Sequence, residues 1–286
     1  MTVERDAAIQ KANILVEALP FIRRFHGDTI VVKLGGSSLE DSKHNVLEDL
    51  VLLRYVGMNP VVVHGGGREI SAWQEKLGLE TRFVDGLRVT DEKSMEIVKM
   101  VLTGKINPEL VTMINQLGGQ AVGMSGEDGP SVLVRPMASQ GAEHLGLVGE
   151  VAQVNAEPIT ALLDRNYIPV FASIGLGYDG QSYNVNADTV AAELAVALNA
   201  RKLILLTDVE GVMDAGGKLI SEIVAHDVSD RIADGTVSGG MIPKVKACVR
   251  ALSGVEKAHI IDGRVPHALL LELLTNEGIG TMILPG

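Results

Sequence analysis

Apolar positions along this chain fall into two alternating kinds of run. Short, nearly unbroken apolar runs occupy residues 29–34, 60–64, 121–124, 168–173, 203–207 and 258–261. Their length and β-branched content predict buried strands. Between them, apolar residues recur every three or four positions over 40–55, 69–77, 91–102, 108–117, 156–165, 187–198, 243–252 and 265–274, which predicts helices. Strands alternating with helices imply a mostly parallel sheet covered on both faces, an α/β three-layer αβα sandwich. Ligands of such sheets collect beyond the carboxyl ends of the strands. The stretch 131–154 departs from this rhythm: 132–134 and 147–154, with Gly141, Gly146 and Gly149 between, predict a β-hairpin. Ahead of the first strand, Ala8, Ala12, Leu15, Leu19 and Ile22 trace one stripe of a helix. Pro20 is expected to kink that helix, because it lacks an N–H and crowds the preceding turn.

Composition narrows the function. A net charge of −11 on 286 residues argues against a nucleic-acid binder, which would show a basic patch or stripe. A few lysines and backbone N–H groups can still make a local anion site. One cysteine, Cys248, allows no internal disulfide and suits a reducing compartment. With seven scattered histidines it forms no metal-ligand pattern, so no metal site is expected. Arg5, Asp6, Lys11 and Glu17 interrupt any leader-like apolar core in residues 1–27. No run approaches the ~18 apolar residues of a membrane span. The expectation is a cytoplasmic protein with neither membrane nor nucleic acid as partner.

Glycines cluster where strands end. Lys33-Leu34-Gly35-Gly36-Ser37 closes the first strand and His64-Gly65-Gly66-Gly67 the second. Glycine there lets the backbone approach a phosphate, and Lys33 could neutralise it; a plain strand-to-helix turn is the alternative. An esterase oxyanion loop would also suit the second cluster, but it needs a G-x-S-x-G elbow. The nearest stretch, Gly123-Met124-Ser125-Gly126-Glu127, lacks the last glycine. Gly217-Lys218 is followed by Leu219, so no P-loop is present. Gly175-Leu176-Gly177-Tyr178-Asp179-Gly180 fits a dinucleotide fingerprint, yet polar residues follow where a helix should open, and a surface turn is expected. Asn184-Val185-Asn186-Ala187-Asp188 reads as a helix start with Asn186 as the cap and Asp188 on the dipole, which leaves Asn184 for a ligand. In Gly239-Gly240-Met241-Ile242-Pro243-Lys244, Pro243 marks a helix first turn and puts Lys244 at the positive end of a dipole. A cation is disfavoured there unless an anion is bound.

Taken in order, VVKLGG, VVVHGGG, GLRVTD, MVLTGKIN, AVGMSGEDG, NVNAD, KLILLTDVEGV and GGMIPKV resemble the acetylglutamate kinases, within the wider amino-acid kinase family, from about Thr29 to the C-terminus. The resemblance implies two lobes: 28–185 binding acetylglutamate and 186–286 binding ATP. Lys33 and Lys244 would hold the transferring phosphoryl group, Asp188 would orient both ammonium groups, and N–H groups of Gly36, Gly66 and Gly67 would stabilise the same charge. Arg88, helped by Asn184, would pair with the substrate α-carboxylate. Thr207, Asp208, Gly211, Val212, Met213, Ser238 and Met241 would form the nucleotide site, with Mg²⁺ arriving on ATP. Arg68 stands where members often carry proline. The alternatives are another carboxylate kinase of this fold, or a silent amino-acid sensor, which would have no reason to keep two phosphate lysines.

Members without feedback control start almost at the first strand, whereas this chain has the extra helix 1–27. That feature resembles the ring-forming, arginine-inhibited members, and it implies a homo-oligomer, a hexamer built of dimers, joined through this helix. L-arginine would then bind between the helix end and a C-terminal segment, with Lys202, His267, Glu272, Glu277 and Gly280 as candidates. Ala268 and Leu274 replace the serine and phenylalanine common there.

Overall fold

The computed structural model describes residues 2–35, 39–138 and 144–286. In chain order the first half comprises α1 (Thr2–Phe25), β1 (Thr29–Leu34), α2 (Leu39–Tyr55), β2 (Asn59–His64), α3 (Gly67–Lys76), β3 (Phe83–Val84), β4 (Leu87–Arg88), α4 (Glu92–Val101) and α5 (Asn107–Gln116). A π-helical turn, Leu102–Ile106, joins α4 to α5. Next come β5 (Ala121–Ser125), β6 (Val132–Pro136), β7 (Gly149–Val154), α6 (Glu157–Leu163), β8 (Ile168–Ala172), β9 (Ile174–Gly177) and β10 (Ser182–Asn184). The chain ends with α7 (Ala187–Ala197), β11 (Lys202–Thr207), β12 (Glu222–Val224), α8 (Val228–Ala233), α9 (Met241–Ala251), β13 (Lys257–Asp262), α10 (Ala268–Leu274) and β14 (Thr281–Leu284).

Eight strands form the central sheet in the order β12-β14-β13-β11-β1-β2-β8-β5. Every neighbouring pair from β13 to β5 is parallel, and β14 runs antiparallel to β13. Side chains alternate across each strand, so each strand feeds two layers. Val31, Val61, Val63, Leu203, Leu205 and Ile260 pack on one face with residues of α6, α7 and α9. Ile30, Val32, Val62, Ile204 and Ile261 pack on the other with residues of α2, α5 and α10. This is the expected αβα sandwich with a largely parallel sheet. The hairpin expected in 131–154 forms as antiparallel β6 and β7, and β9 and β10 extend it into a second, four-stranded sheet. The decoy glycine run 175–180 lies in the β9–β10 hairpin, so no helix opens within it.

The N-terminal helix is present and continues through Pro20 to Phe25. Pro20 has no N–H to offer the Val16 carbonyl one turn earlier. Its apolar residues do not find cover on their own chain: Leu15 is 73% exposed, Val16 67% and Ile14 64%. Phe25, at its end, is buried with α2 and α10.

Candidate active site

Alternation along β1 decides where Lys33 goes. Val31 lies on the face packed by α7, and Lys33, two residues on, shares that face at the strand's carboxyl end. Asp188 opens α7 above it, behind a cap in which Asn186 Oδ1 accepts from the N–H groups of Asp188 and Thr189. Lys33 Nζ lies 2.8 Å from Asp188 Oδ1. Lys244, in the first turns of α9, donates to Asp188 Oδ2 at 2.9 Å. Thus the anion that the dipole anomaly at Lys244 called for is supplied, within this chain, by a carboxylate.

Lys33 is 7% exposed and Asp188 4%. Burial pushes the Lys33 ammonium below its ordinary range, with Asp188 pulling the other way and Lys244 adding to the fall. Burial alone would raise the Asp188 carboxyl, but the two ammonium groups outweigh it and hold the group below the usual carboxylate range. One buried carboxylate therefore stays charged between two cations.

These residues border a cavity of about 560 Å³ lined, among others, by Lys33, Gly35, the His64–Gly67 loop, Arg88, Asn184, Asp188 and Asp208. The glycine loop is shaped by packing as well as by any ligand: a Cβ on Gly66 would collide with Ile106 and Leu102 of the π-helical turn. Arg88 ends β4 across from Phe83, its guanidinium 4.8 Å from that ring's centre. Its N–H groups donate to the Gly67 carbonyl (2.7 Å), to Ser71 Oγ (2.8 Å) and to Gln74 Oε1. Asn184 donates to Thr90 Oγ1 at 3.2 Å, and Thr90 to the Arg88 carbonyl at 2.8 Å.

The cavity thus gathers Lys33, Gly66, Gly67, Arg88, Asn184 and Asp188, with Lys244 joined through Asp188. Gly36 lies outside the described residues. Of the seven nucleotide candidates only Asp208 lines this cavity. Thr207 ends β11 beside it. Gly211 and Met213 flank Val212, whose N–H donates to Thr281 Oγ1 at 2.8 Å. Ser238 accepts from the Met241 N–H at 3.1 Å where α9 begins, and α9 packs on β11. Among the arginine candidates, Lys202, Glu272 and Gly280 line a separate cavity of about 280 Å³ with Phe21, Arg24 and Phe25 of α1. Glu272 there accepts from Lys202 at 2.8 Å and lies 2.9 Å from His259 Nδ1. His267 and Glu277 are not among its lining residues; His267 bonds Asp49 at 2.7 Å instead. Ser71, Gln74 and Phe83 were missed from the sequence. Ser71 and Gln74 lie three apart on α3, a polar spacing too common to single them out.

Residues 28–262 match the amino acid kinase family. A curated acetylglutamate kinase of Caldanaerobacter subterraneus is 56% identical over 96% of this chain and 93% of its own length. One of Nostoc is 52% identical over 98% and 95%. Among solved structures, N-acetylglutamate synthase from Neisseria gonorrhoeae, complexed with coenzyme A and N-acetyl-glutamate, superposes with a TM-score of 0.85 at 25% identity, over 96% of this chain. The chain spans 63% of that synthase. Carbamate kinase from Giardia lamblia, at 16% identity and a TM-score of 0.63 over 91% of this chain and 99% of its own, shares the fold.

Proposed function

The chain belongs to the amino acid kinase family and, by its likeness to curated relatives along nearly its whole length, to the acetylglutamate kinases, and from that premise we propose how its residues carry the reaction. The reaction is ATP-dependent phosphorylation of N-acetyl-L-glutamate, a step of arginine biosynthesis. An oxygen of the γ-carboxylate attacks the γ-phosphorus, the new P–O bond gives N-acetylglutamyl 5-phosphate, and the old bond breaks to leave ADP. No general base is required, since the nucleophile is already ionised near neutral pH. What remains is in-line positioning and stabilisation of charge on the transferring group.

The single observation that supports this division of labour is the convergence of Lys33 and Lys244 on Asp188 beside a cavity that Arg88 also lines. With Asp188 fixing both ammonium groups, their remaining N–H donors serve the phosphoryl oxygens, together with N–H groups of Gly36, Gly66 and Gly67. Three of the five Arg88 N–H donors are engaged by protein, one on Nη1 and two on Nη2, so a carboxylate would accept from one of those left, on Nε or Nη1, with Asn184 helping. Residues 28–185 hold the acid and 186–286 the nucleotide, through Thr207, Asp208, Gly211, Val212, Met213, Ser238 and Met241. Mg²⁺, carried by ATP, would supply neutralisation of phosphate charge. Incubation of a panel of acids with MgATP, trapping acyl phosphate as the hydroxamate, tests the reading. Acetylglutamate should give product far faster than aspartate, glutamate or carbamate, and an equal or greater yield from another acid would overturn it.

A regulatory reading has its own support. The cavity between the end of α1 and the segment around α10 holds Glu272 and Gly280, and an arginine guanidinium would pair with Glu272. The exposed apolar stripe of α1 would be covered by α1 of another subunit, building the hexamer and coupling arginine to activity.

A further inference from the structure

Three sequence motifs, 61–67, 100–107 and 121–129, meet at a buried pair of side chains that has no part in the scheme above. His64 ends β2 on the same face as Val62, which packs towards α5. There its Nε2 lies 3.0 Å from Nδ2 of Asn107, the first residue of α5. Asn107 Nδ2 also donates to the Val170 carbonyl of β8 at 2.8 Å. That second bond identifies the atom as the amide nitrogen, because an oxygen there would face another oxygen. An amide NH₂ can only donate, so His64 Nε2 must accept, and the proton of the neutral ring sits on Nδ1. Nδ1 lies 3.1 Å from the Gly65 carbonyl and donates to it. Burial pushes the His64 pKa down to about 4, so the ring is neutral near pH 7. Beneath the pair, a Cβ on Gly123 of β5 would collide with Asn107 Oδ1, so the third motif makes room for it.

We propose that the His64–Asn107 pair fixes the plane of the Gly65–Gly66 peptide and thereby presents the Gly66 N–H to the transferring phosphoryl group. In a planar trans peptide the Gly65 C=O and the Gly66 N–H point in opposite directions. Held against the imidazole, the carbonyl turns towards His64 and the N–H away from it, and Gly65 and Gly66 both line the cavity. Two consecutive glycines have little intrinsic preference for one orientation. Turned over, the same peptide would aim a carbonyl oxygen at a phosphate and repel it. Asn107 acts one bond further back, by dictating which ring nitrogen carries the proton. Both are positioning residues, acting through the peptide and not on the reacting atoms.

The inference rests on the phosphoryl-site reading above, so its first test needs no turnover. Solid-state ¹⁵N spectra of the intact, histidine-labelled protein, with the His64 signals assigned by their loss in His64→Asn, should show the Nδ1–H tautomer near pH 7. An Nε2–H tautomer or an imidazolium overturns the proposal. In kinetics, His64→Leu should lower kcat about 10–100-fold, somewhat less than loss of a whole donor, with KM for acetylglutamate unchanged. His64→Asn, which keeps a donor near Nδ1, should restore most of that loss. Asn107→Asp turns the donor into an acceptor, so the same spectra should show the proton on Nε2, and kcat should fall as in His64→Leu. Wild-type kcat in His64→Leu, or in Asn107→Asp once its tautomer has switched, overturns the proposal. If His64→Leu does not fold, Asn107→Asp decides. Absence of acyl phosphate from the wild-type protein would instead refute the kinase scheme and leave the tautomer standing.

Discussion

Lys244 Nζ sits 2.9 Å from Asp188 Oδ2, which ties the first turns of α9 to the first residues of α7. The N-terminus of α7 is a positive end, and the carboxylate that sits there also holds two lysines. Removing either lysine should spare the acid's site and strip charge from the transition state. Lys33→Ala and Lys244→Ala are expected to lower kcat roughly 10²–10³-fold, the scale for one transition-state donor, while KM for acetylglutamate changes little. Steady-state kinetics on each variant check this, and full turnover in either one removes it from the phosphoryl site.

Arg88→Lys should be far from conservative. The guanidinium reaches the Gly67 carbonyl, Ser71 and Gln74 at once and lies against Phe83, a set that a single ammonium cannot reproduce. KM for acetylglutamate should rise about tenfold or more, the scale of one lost charge-assisted contact, while KM for ATP stays nearly constant. Movement of the ATP constant alone would place Arg88 in the nucleotide site.

Much of this frame was legible in the sequence. Six central strands announced themselves as apolar runs, and the residues 29–34 have the same bounds in the structure as in the reading. β12 and β14 escaped, because strands of three and four residues carry too little pattern; the ladder between them supplies what their side chains do not. The π-helical turn at Leu102–Ile106 has no propensity signature, since its sequence continues the helical period of α4. In the site, lysines and glycines at strand ends were visible as chemical anomalies. Gln74 was not, because what singles it out is its contact with Arg88, fourteen residues away and set by packing.

If α1 builds the proposed oligomer and couples it to arginine, deletion of residues 1–26 should reduce both. Helix α1 leaves Ile9, Ile14, Leu15, Val16 and Leu19 exposed on the single chain, while its end borders the cavity with Lys202 and Glu272. Light scattering should show a smaller particle, and inhibition by L-arginine should weaken at least tenfold, the range of an allosteric coupling of about 1–3 kcal/mol. A truncated protein with unchanged mass and unchanged inhibition would assign the helix to neither role.

A pH effect on stability should trace to Asp49. Burial pushes its carboxyl from an ordinary 3.8 up to about 6, against the opposing pull of His267 and the N–H groups of Leu269 and Leu270. A raised carboxyl pKa means that between pH 4 and 6 the folded chain holds a proton that the unfolded chain has released. Stability contributed by this group therefore falls as pH rises through that window and is level above it. Urea midpoints of wild type and Asp49→Asn, compared from pH 4 to 7, should diverge in slope below pH 6 and run parallel above. Parallel curves throughout would show that Asp49 does not titrate there.

The last strand of the chain is an inner member of the sheet. β14 lies between β12 and β13, and β12 pairs with no other strand of the sheet. During synthesis, then, the stretch that carries β12, α8 and α9 must wait for residues 281–284 to leave the ribosome before its edge can close. Pairs so distant in sequence make for slow completion. A nascent chain held at the exit tunnel should expose an unfinished edge next to the half that anchors Lys244.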